Sequence, residues 1–352
     1  MNHPKRVLIS FVDNFLILAY LKNEFEKLGI EVNVFATNLR GHWIHRFIFK
    51  KINRIAKKLK LLSNEGDLFS WSRYSFEKYR EQKFADYIDQ IKPDLIFCIH
   101  GYQFGEFALK NSKSVKVGWW IEPNPNLNDV LNFSKLFDLY LSYDSQTVEL
   151  LTSYRIRSEY QSHVASTADF YPIPDLKKDI DVLFYGSWSP WREEVLFSAY
   201  QETKNIALFG NDWIKNCSLF TKKELNNVLH GKEVLGSNLN IVMNRAKIVL
   251  GAQRLRNVTT GVDTRAFDAL ASGALLLTDA PNDLYRHFKN DEDLIVYDCS
   301  ADISLKIRAI LNGDIDVGVI SKSGREKVLQ SLTYKNLCER VLSALSAAKN
   351  LG

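Results

Sequence analysis

The chain has 352 residues, of which 46% are apolar and 25% charged, and its formal net charge is +5. This length fits two globular domains of about 150–180 residues, and the small positive charge is compatible with an anionic ligand or membrane surface without indicating either. The four cysteines lie far apart with no CxxC pair, which argues against a disulfide framework or a zinc site.

The amino-terminal stretch, residues 1–20, has a basic start followed by apolar residues, as signal peptides do. Asp13 and Asn14 interrupt the apolar run, however, and no small-residue cleavage site follows. No segment reaches the roughly 18 uninterrupted apolar residues of a membrane-spanning helix. Together with the cysteine pattern, these features predict a cytoplasmic protein.

The first elements in chain order are a strand at residues 5–11, a helix at 15–28 that ends at Gly29, and a strand at 31–36. This alternation predicts an α/β fold that opens with a βαβ unit. The unit lacks the GxGxxG fingerprint of dinucleotide-binding proteins, so nothing in it favours a nicotinamide or flavin enzyme.

Residues 45–62 form the clearest amphipathic helix of the sequence. The apolar stripe of this helix consists of Ile48, Ile52, Ile55, Leu59 and Leu62, and its cations are Arg46, Lys50, Lys51, Arg54, Lys57, Lys58 and Lys60. Such a helix can lie on an anionic membrane surface, which predicts a peripheral location at the inner face of the membrane. The alternative is that the stripe packs on a sheet and the lysines are merely solvated. Nucleic acid is not expected as a partner, because the charge is local and no known binding module accompanies it.

The next predicted elements are a helix at residues 76–91 and three strands at 94–100, 115–121 and 136–142. Polar residues stand at or just after the ends of these strands: His100, Glu122 and Asp144. Open α/β sheets bind ligands beyond the carboxyl ends of their strands, so the three residues would line one rim of a binding cleft. Taken singly, each residue also fits a hydrogen-bonded loop or a helix cap.

Residues 163–180, which include two prolines followed by a charged run, form the best candidate for a linker. A second α/β region follows, with strands predicted at 181–185, 206–209, 248–250 and 294–297. The last predicted helix begins at about Tyr334.

The most informative stretch is residues 261–279, GVDTRAFDALASGALLLTD, which predicts a turn, a short helix and a buried strand. Amide groups at the start of the helix, aided by Arg265, can bind a diphosphate, and Asp268 can accept two hydrogen bonds from a ribose diol. The alternative is a surface pair between Arg265 and Asp268 on an ordinary amphipathic helix.

Several motifs of the second half occur together in order: DVLFYGS at 181–187, Arg192, GNDW at 210–213, AKIVL at 246–250, RAFDALASGALLLTD at 265–279, YRHF at 285–288 and LTY at 332–334. In these motifs the sequence resembles the glycosyltransferase-like proteins of the CgeB type, which belong to the wider group-1 clan with the GT-B fold. The resemblance covers residues 181–345, and the first half is similar only in layout.

The resemblance implies an α/β protein of the GT-B fold, with two Rossmann-like domains facing a central cleft. Residues 1–170 would form the acceptor-side domain and residues 171–333 the domain that binds a nucleotide sugar. Residues 334–352 would form a helix that crosses back to the first domain. The nucleoside-diphosphate sugar would be a substrate, and no cofactor is expected.

The helix start and the resemblance together assign eleven residues to the donor site: Gly186, Ser187, Arg192, Val234, Arg254, Thr260, Gly261, Asp263, Thr264, Arg265 and Asp268. In the family, the position of Asp268 holds the donor ribose, and the two arginines Arg192 and Arg265 would neutralise the leaving diphosphate. The backbone around Val234 would read the base, and Arg254 and Arg256 would contact phosphate. Thr260 departs from the clan, which often has an acidic residue there.

Three DxD-like triplets occur, at residues 179–181, 291–293 and 314–316. A DxD triplet at the end of a strand can hold a divalent ion on nucleotide phosphates. The first triplet precedes its strand, however, and the others lie in polar loops, so a metal-independent enzyme is expected.

The leading hypothesis is a glycosyltransferase that moves a sugar from a nucleoside-diphosphate donor to a glycan or lipid-linked acceptor in surface polysaccharide synthesis, with retention of configuration. Glu122 and His100 are the candidates for catalytic residues, and Asp144 is a further candidate base. One alternative is a non-catalytic protein of the same fold that binds nucleotide or glycan, which Thr260 would favour. A phosphorylase or a sugar-nucleotide epimerase is the third reading.

Overall fold

The computed structural model describes residues 4–12, 16–100, 106–122, 127–254 and 260–349, except for the side chains of residues 129 and 344–349. The chain divides into two compact units, one formed by residues 1–161 with 338–352 and the other by residues 162–337. Both units alternate strands and helices, which confirms the predicted α/β class.

The first unit is built on a parallel sheet with the strand order β2-β1-β3-β4-β5-β6. These strands are β1 (Arg6–Phe11), β2 (Glu31–Ala36), β3 (Leu95–Ile99), β4 (Val115–Trp120), β5 (Leu139–Ser142) and β6 (Ser158–Tyr160). Every residue of β3 is buried, because helices cover a parallel sheet on both faces and its central strands are apolar throughout.

The helices of the first unit, as far as the structure describes them, connect these strands. They are α1 (Leu16–Lys27), α2 (Lys50–Lys58), α3 (Phe76–Ile91), α4 (Glu106–Lys110), α5 (Leu127–Ser134) and α6 (Ser145–Ser153). The segment His45–Phe49, just before α2, is a π-helical turn. The predicted helix at 45–62 therefore ends earlier than expected, at Lys58.

The burial of this segment also differs from one of the two predicted alternatives. The side chains that face the protein are His45, Phe49, Asn53 and Ala56, whereas Ile48, Ile52, Ile55 and Leu59 are between 41% and 63% exposed. The amide of Asn53 explains part of this orientation, because its Nδ2 donates to Asp67 Oδ1 at 2.6 Å and its Oδ1 accepts from the Leu68 amide at 3.1 Å. The alternative that the stripe packs on the sheet is therefore wrong.

The second unit has a parallel sheet with the order β12-β11-β10-β7-β8-β9. These strands are β7 (Ile180–Tyr185), β8 (Ile206–Phe209), β9 (Leu229–Gly231), β10 (Ala246–Leu250), β11 (Leu276–Thr278) and β12 (Ile295–Val296). The chain runs outward from β7 to β9 and then returns to the other side of β7 with β10. The strand order thus reverses between β7 and β10, and open α/β sheets bind ligands at such a switch point.

The described helices of the second unit cover both faces of this sheet. They are α7 (Pro190–Glu202), α8 (Trp213–Asn216), α9 (Lys222–Val228), α10 (Gly236–Arg245), α11 (Thr264–Ala271), α12 (Ser300–Asn312), α13 (Val317–Ser331) and the 3-10 turn Asn282–Arg286. One hydrophobic cluster contains Phe184 and Ile248, and the other contains Leu183 and Val249. Successive residues of β7 and of β10 therefore point to opposite faces, as strand geometry requires.

The last helix, α14 (Tyr334–Lys349), starts in the second unit, and its residues from Cys338 onward belong to the first. Within the first unit, Arg340 donates to Gln161 Oε1 at 3.0 Å and to Glu159 Oε2 at 2.9 Å. Among the helices that the structure describes, none is both long and apolar enough to cross a bilayer.

Candidate functional site

The donor-site residues predicted from the sequence gather at the switch point of the second sheet. Gly186 follows β7, Gly251 follows β10, and α11 begins close by at Thr264. Arg192 reaches the same place from the first turn of α7, which Ser189 caps by accepting a hydrogen bond from the Arg192 amide at 3.3 Å. Residues from three separate parts of the chain thus meet beyond the ends of two central strands.

Gly186 allows two guanidinium groups to approach the backbone. Its φ is 151°, which favours glycine, and a Cβ atom added there would lie 2.7 Å from Arg265 Nη1 and 3.2 Å from Arg192 Nη1. Any side chain at this position would displace an arginine. The glycine is therefore required for the two cations to converge.

Arg192 is held rigidly in a nearly closed environment. Its residue is 4% exposed, its Nε donates to the Ala252 carbonyl at 3.1 Å, and its Nη1 donates to the Ser187 carbonyl at 3.1 Å. Burial, together with the charge of Arg265 nearby, lowers the pKa of Arg192 to about 10. The group still carries its charge at neutral pH.

Asp263 links the two arginines. Its Oδ2 accepts from Arg192 Nη2 at 3.5 Å, and its carboxylate forms a double contact with Arg265, including Nε to Oδ1 at 3.1 Å. Burial alone would raise the pKa of Asp263, but the charges of Arg265 and Arg192 outweigh it and hold the pKa far below its usual value. Arg265 also donates to the Tyr185 carbonyl at 3.0 Å. Arg192 and Arg265 therefore share the carboxylate of Asp263.

Two expectations about this helix start are corrected by the contacts. The Arg265 amide is not free, because it donates to Asp263 Oδ1 at 3.2 Å, and the Gly261 amide donates to Asp283 Oδ2 at 2.8 Å. The alternative of a surface pair between Arg265 and Asp268 is also wrong, since Arg265 pairs with Asp263 instead. Asp263, which caps the helix and is closer to Arg265 along the chain than Asp268 is, forms the ion pair instead.

Asp268 has a different character. Its residue is half-buried, and its carboxylate forms no hydrogen bond or ion pair with the part of the chain that the structure describes. Burial, followed by repulsion from Asp263 and Asp169, raises the pKa of Asp268 well above its usual value. The hydroxyl of Tyr185, which interacts electrostatically with Asp268, is buried and likewise has no described hydrogen-bond partner. The half-buried carboxylate of Asp268 is therefore an unpaired acceptor that a ligand can reach, whereas the Tyr185 hydroxyl is enclosed by protein.

The remaining predicted donor-site residues occupy separate positions. Thr260 is 8% exposed, and Thr264 is the half-buried first residue of α11. Arg254 is exposed, and its charge contributes to the lowered pKa of Arg192. Val234 lies between β9 and α10, packed against the core. Arg256 lies outside the described residues.

Two further carboxylates of this site, those of the half-buried Asp279 and the buried Asp283, were not predicted. Asp279, the residue after β11, accepts from the Gln253 amide at 2.8 Å and from Trp191 Nε1 at 3.2 Å. Asp283 is 1% exposed and fixes the Gly261 amide. The position of an acidic residue directly after an apolar strand, as in LLLTD, is a signal that could have pointed to Asp279.

A small cavity lies behind the start of α11, among Asp263, Arg265, Thr278 and Asp279, with a volume of about 10 Å³. This is room for one water at most. A larger ligand of these residues would have to bind on their exposed side.

In the first unit, the neighbouring strands β3, β4 and β5 are parallel, so His100, Glu122 and Asp144 stand at one edge of the sheet, as predicted. His100 is 3% exposed, and its ring lies 4.8 Å from that of Trp120 and 5.5 Å from that of Phe11. Glu122 is exposed, and partial burial raises its pKa. Asp144 caps α6 by accepting from the Gln146 amide at 2.9 Å, which is the structural role weighed above.

Within the described residues, no group of three or more histidine, cysteine or acidic side chains is placed to hold a metal ion.

Several known proteins similar to this chain are glycosyltransferases. A family model described as Glycosyl transferase-like matches residues 178–343. Among solved structures, sucrose-phosphate synthase from Thermosynechococcus elongatus aligns with a TM-score of 0.67 and 11% identity over 99% of this chain and 100% of that one. Alr3699/HepE from Anabaena in complex with UDP-glucose aligns with a TM-score of 0.66 and 12% identity over 98% and 100%.

A third similar structure is AviGT4, a glycosyltransferase involved in avilamycin A biosynthesis, with a TM-score of 0.64 and 12% identity over 97% of both chains. No curated protein matches the sequence at a significant level. The chain therefore has the GT-B fold, as predicted, and the second unit carries the similarity to glycosyl transferase-like proteins.

Proposed function

We propose that this protein is a glycosyltransferase that uses a nucleoside-diphosphate sugar and binds it at the switch point of the second unit. The observation that carries the proposal is the convergence of Arg192 and Arg265 on the backbone of Gly186. In finer detail, we infer a protein of the CgeB type, with residues 171–333 as the donor domain, residues 1–170 as the acceptor domain, and residues 334–352 as the helix that joins the last part of the chain to the acceptor domain.

The charge at this site suits a diphosphate leaving group. Transfer of the sugar breaks its bond to the diphosphate, and negative charge grows on the leaving oxygen. Two guanidinium groups fixed before the reaction stabilise that charge without any cost of reorganisation. Both groups pair with the single carboxylate of Asp263, and the charge of Asp279 also acts on them. Metal-independent catalysis with no further cofactor is consistent with this arrangement.

The unpaired carboxylate of Asp268 supports the nucleoside part of the ligand. A desolvated acceptor without a protein partner gains most from a ligand that brings two hydroxyl donors, and a ribose diol is such a ligand. Alr3699/HepE was solved with UDP-glucose, so UDP is the first nucleotide to test.

The experiment is a calorimetric titration of UDP into the wild type and into Asp268→Asn. This carboxylate forms no hydrogen bond or ion pair with the described protein, so the substitution should leave the fold intact and weaken UDP binding roughly 10- to 100-fold. The matched control is Asp314→Asn, an exposed carboxylate of the same unit. Equal UDP affinity in wild type and Asp268→Asn would refute the donor site.

For the reacting centre, we propose Glu122 and His100 of the first unit. The raised pKa of Glu122 brings its carboxyl closer to the range where a general acid or base works at neutral pH. Retention by front-face attack would need no base, in which case Glu122 would orient the acceptor. A protein that binds UDP, yet never releases sugar from UDP-glucose or any other nucleotide sugar, would instead be the non-catalytic alternative.

We also propose that the segment 45–62 rests on an anionic membrane surface at the cytoplasmic face, where a surface polysaccharide would be built on a glycan or lipid-linked acceptor. The support is the exposure of the stripe: Ile52 is 41% and Ile55 56% exposed on a helix whose charged residues are all basic. An apolar face in water flanked by lysines matches the headgroup region of a bilayer.

Cosedimentation with vesicles that contain anionic lipid tests this contact. The double variant Ile52→Ser with Ile55→Ser should lose most of its vesicle binding, while Ile214→Ser with Leu305→Ser, which removes two exposed apolar side chains elsewhere, should keep it. Added salt should weaken wild-type binding because the lysines contribute through charge. Equal binding by both double variants would contradict the proposal.

A further inference from the structure

The first unit contains a second basic region, distinct from the donor site in the other unit. A cavity of about 500 Å³ is lined by Val12 and Thr37, the residues that follow β1 and β2, and by the π-helical turn before α2. Ligand sites for small molecules are commonly about 300–1,000 Å³. The cavity thus has the size of a binding site and lies at the carboxyl edge of the first sheet.

The charged residues that line this cavity are all basic: Arg40, Arg46, Lys50 and Arg80, with no aspartate or glutamate among the lining residues. Within the described chain, Arg40, Arg46 and Lys50 form no ion pair. The aromatic ring of Phe47 lies 5.0 Å from the Arg46 guanidinium carbon, and that of Phe76 lies 5.1 Å from that of Arg80. Stacking of this kind positions a guanidinium group while leaving its N–H donors usable.

A buried histidine completes the lining. His45 is 8% exposed, and its Nδ1 has no hydrogen-bond partner in the described part of the chain. Burial, followed by the charge of Lys50, lowers the pKa of His45, while Asp67 acts in the opposite direction. The imidazole is therefore neutral at physiological pH and adds a polar group to the cavity without adding more positive charge.

Cations gathered without anions repel one another, and proteins usually balance such groups with carboxylates. For Arg40, Arg46 and Lys50, which form no ion pair with the described residues, a ligand can supply the balancing anion. A phosphate group offers two charges and several acceptor oxygens, which match guanidinium donors in geometry. A volume of about 500 Å³ is larger than one phosphate needs, so the rest of the ligand can occupy the remainder.

We propose that this cavity binds a phosphate group carried by the acceptor, so that the acceptor is a phosphorylated molecule. The assignment to an acceptor rests on the proposed function, whereas phosphate binding by the cavity stands independently of it. Arg46 and Lys50 belong to the same helical segment as the exposed Ile48 and Ile52. An alkyl chain attached to the phosphate could therefore lie along the apolar stripe next to the cavity.

The test is calorimetry with decyl phosphate below its micelle concentration, inorganic phosphate, and the neutral decyl maltoside. The cavity variant is Arg40→Gln with Lys50→Gln, and the control is Lys51→Gln with Arg54→Gln. Both pairs remove one arginine and one lysine from exposed positions, but only the first pair lines the cavity. Thermal unfolding of both variants establishes that they are folded.

We expect the cavity variant to bind decyl phosphate about tenfold or more weakly than wild type, the control variant to bind it as wild type does, and decyl maltoside not to bind. Tighter binding of decyl phosphate than of inorganic phosphate supports a lipid source, and equal binding supports a soluble phosphorylated acceptor. Equal losses in both variants, or equal binding of the neutral maltoside, would overturn the proposal.

UDP binding separates this inference from the proposed function. Asp268→Asn should weaken UDP binding and leave decyl phosphate binding intact, and the cavity variant should do the reverse. If UDP fails to bind while the cavity variant binds decyl phosphate more weakly than wild type, the phosphate site is supported and its assignment to an acceptor is not. If the cavity variant binds decyl phosphate as wild type does while Asp268→Asn weakens UDP binding, only the cavity proposal is refuted.

Discussion

The two units each place basic side chains at the carboxyl edge of a parallel sheet, but they treat these cations in opposite ways. In the second unit, Arg192 is buried and Arg265 is half-buried, and both share the carboxylate of Asp263 and donate to backbone carbonyls. In the first unit, Arg40 and Lys50 are exposed and form no ion pair with described residues. One cluster is fixed during folding, and the other is completed only by a ligand.

This difference separates two ways to recognise an anion. Fixed guanidinium groups have already lost their side-chain entropy, so they favour one ligand geometry and can act on charge that develops during a reaction. Flexible cations lose entropy on binding, so they tolerate varied ligands and contribute mainly attraction. The fixed cluster suits a leaving group at a reacting centre, and the flexible one suits the anchoring of a substrate.

Removal of Asp263 should give the largest loss of stability, because both Arg192 and Arg265 form an ion pair with this carboxylate. The substitution tests whether the positions of the two arginines depend on their shared anion. Asp263→Asn removes the carboxylate that forms an ion pair with both guanidinium groups, and breaking such a pair costs about 3–5 kcal/mol of unfolding free energy in comparable cases. Urea unfolding combined with hydrogen exchange, read on peptides of the second unit, measures the loss.

Asp314→Asn is the control for this change, since Asp314 is exposed and in the same unit. The pH dependence gives a second check. A carboxylate with a depressed pKa contributes stability above its unfolded pKa of about 3.9 and loses it as pH falls below that value. Wild type should therefore lose stability in strong acid relative to Asp263→Asn. A loss of unfolding free energy below about 1 kcal/mol in Asp263→Asn would show that the arginines do not need the carboxylate. The contrast between the cations of the two units would then not hold.

A histidine packed against Phe267 of α11 should give the next effect. His287 lies with its ring 6.2 Å from Phe267 of α11, and burial lowers its pKa to about 4, with Arg286 acting in the same direction and Asp283 against it. The unfolded chain takes up a proton near pH 6.5, but the folded second unit does not until about pH 4. Its stability should thus fall by about 2–3 kcal/mol as pH drops through this window.

Urea titrations of wild type and His287→Gln between about pH 7 and pH 4.5 measure this slope. In the variant, the stability of the second unit should no longer decrease over this pH range, and the pH dependence of the first unit should be unchanged. Equal slopes in both proteins would show that the folded unit already protonates His287 at ordinary pH.

Gly186→Ala should give a smaller loss of stability with a specific loss of binding. The new methyl group would lie 2.7 Å from Arg265 Nη1 and would also strain a φ of 151°. We expect a cost of about 1–3 kcal/mol and weaker UDP binding. Gly313→Ala is the matched control, because Gly313 has a φ of 83° but nothing within 4 Å of the added atom. If both variants bind UDP as wild type does, the position of Arg265 does not matter for the nucleotide.

The sequence predicts the fold well because the strands of a parallel sheet are recognisable as short, continuous apolar runs. Residues 95–99, LIFCI, are apolar at every position, and the structure buries all of them. The polar residues after such strands, including His100 and Glu122, could be placed at one edge for the same reason. The positions and the ends of the strands are thus largely local information.

The partners within the site could not be predicted in this way. Arg192 and Asp263 are 71 positions apart, and only the folded switch point brings them together. Helical spacing suggested a pair between Arg265 and Asp268, but it does not account for a capping carboxylate that competes for the arginine. Similarly, amphipathic periodicity finds the stripe around Ile52 but cannot tell whether protein or water lies against it.

Neutralising Arg40 and Lys50 of the first unit should have the smallest effect on stability, which tests the comparison between the two units on its second member. In Arg40→Gln with Lys50→Gln, no ion pair to the described chain is lost and some repulsion is relieved, so the unfolding free energy of the first unit should change by less than about 0.5 kcal/mol, in the stabilising direction.

With ligand bound, wild type should instead be the more stable of the two proteins. Decyl phosphate at a hundredfold excess over its dissociation constant should stabilise the wild-type unit by about 2.7 kcal/mol and the variant by much less. Urea unfolding with and without decyl phosphate measures both quantities. A clear loss of stability without ligand would mean that these cations already have a structural role, as the arginines of the second unit do, and the contrast between the two sites would disappear.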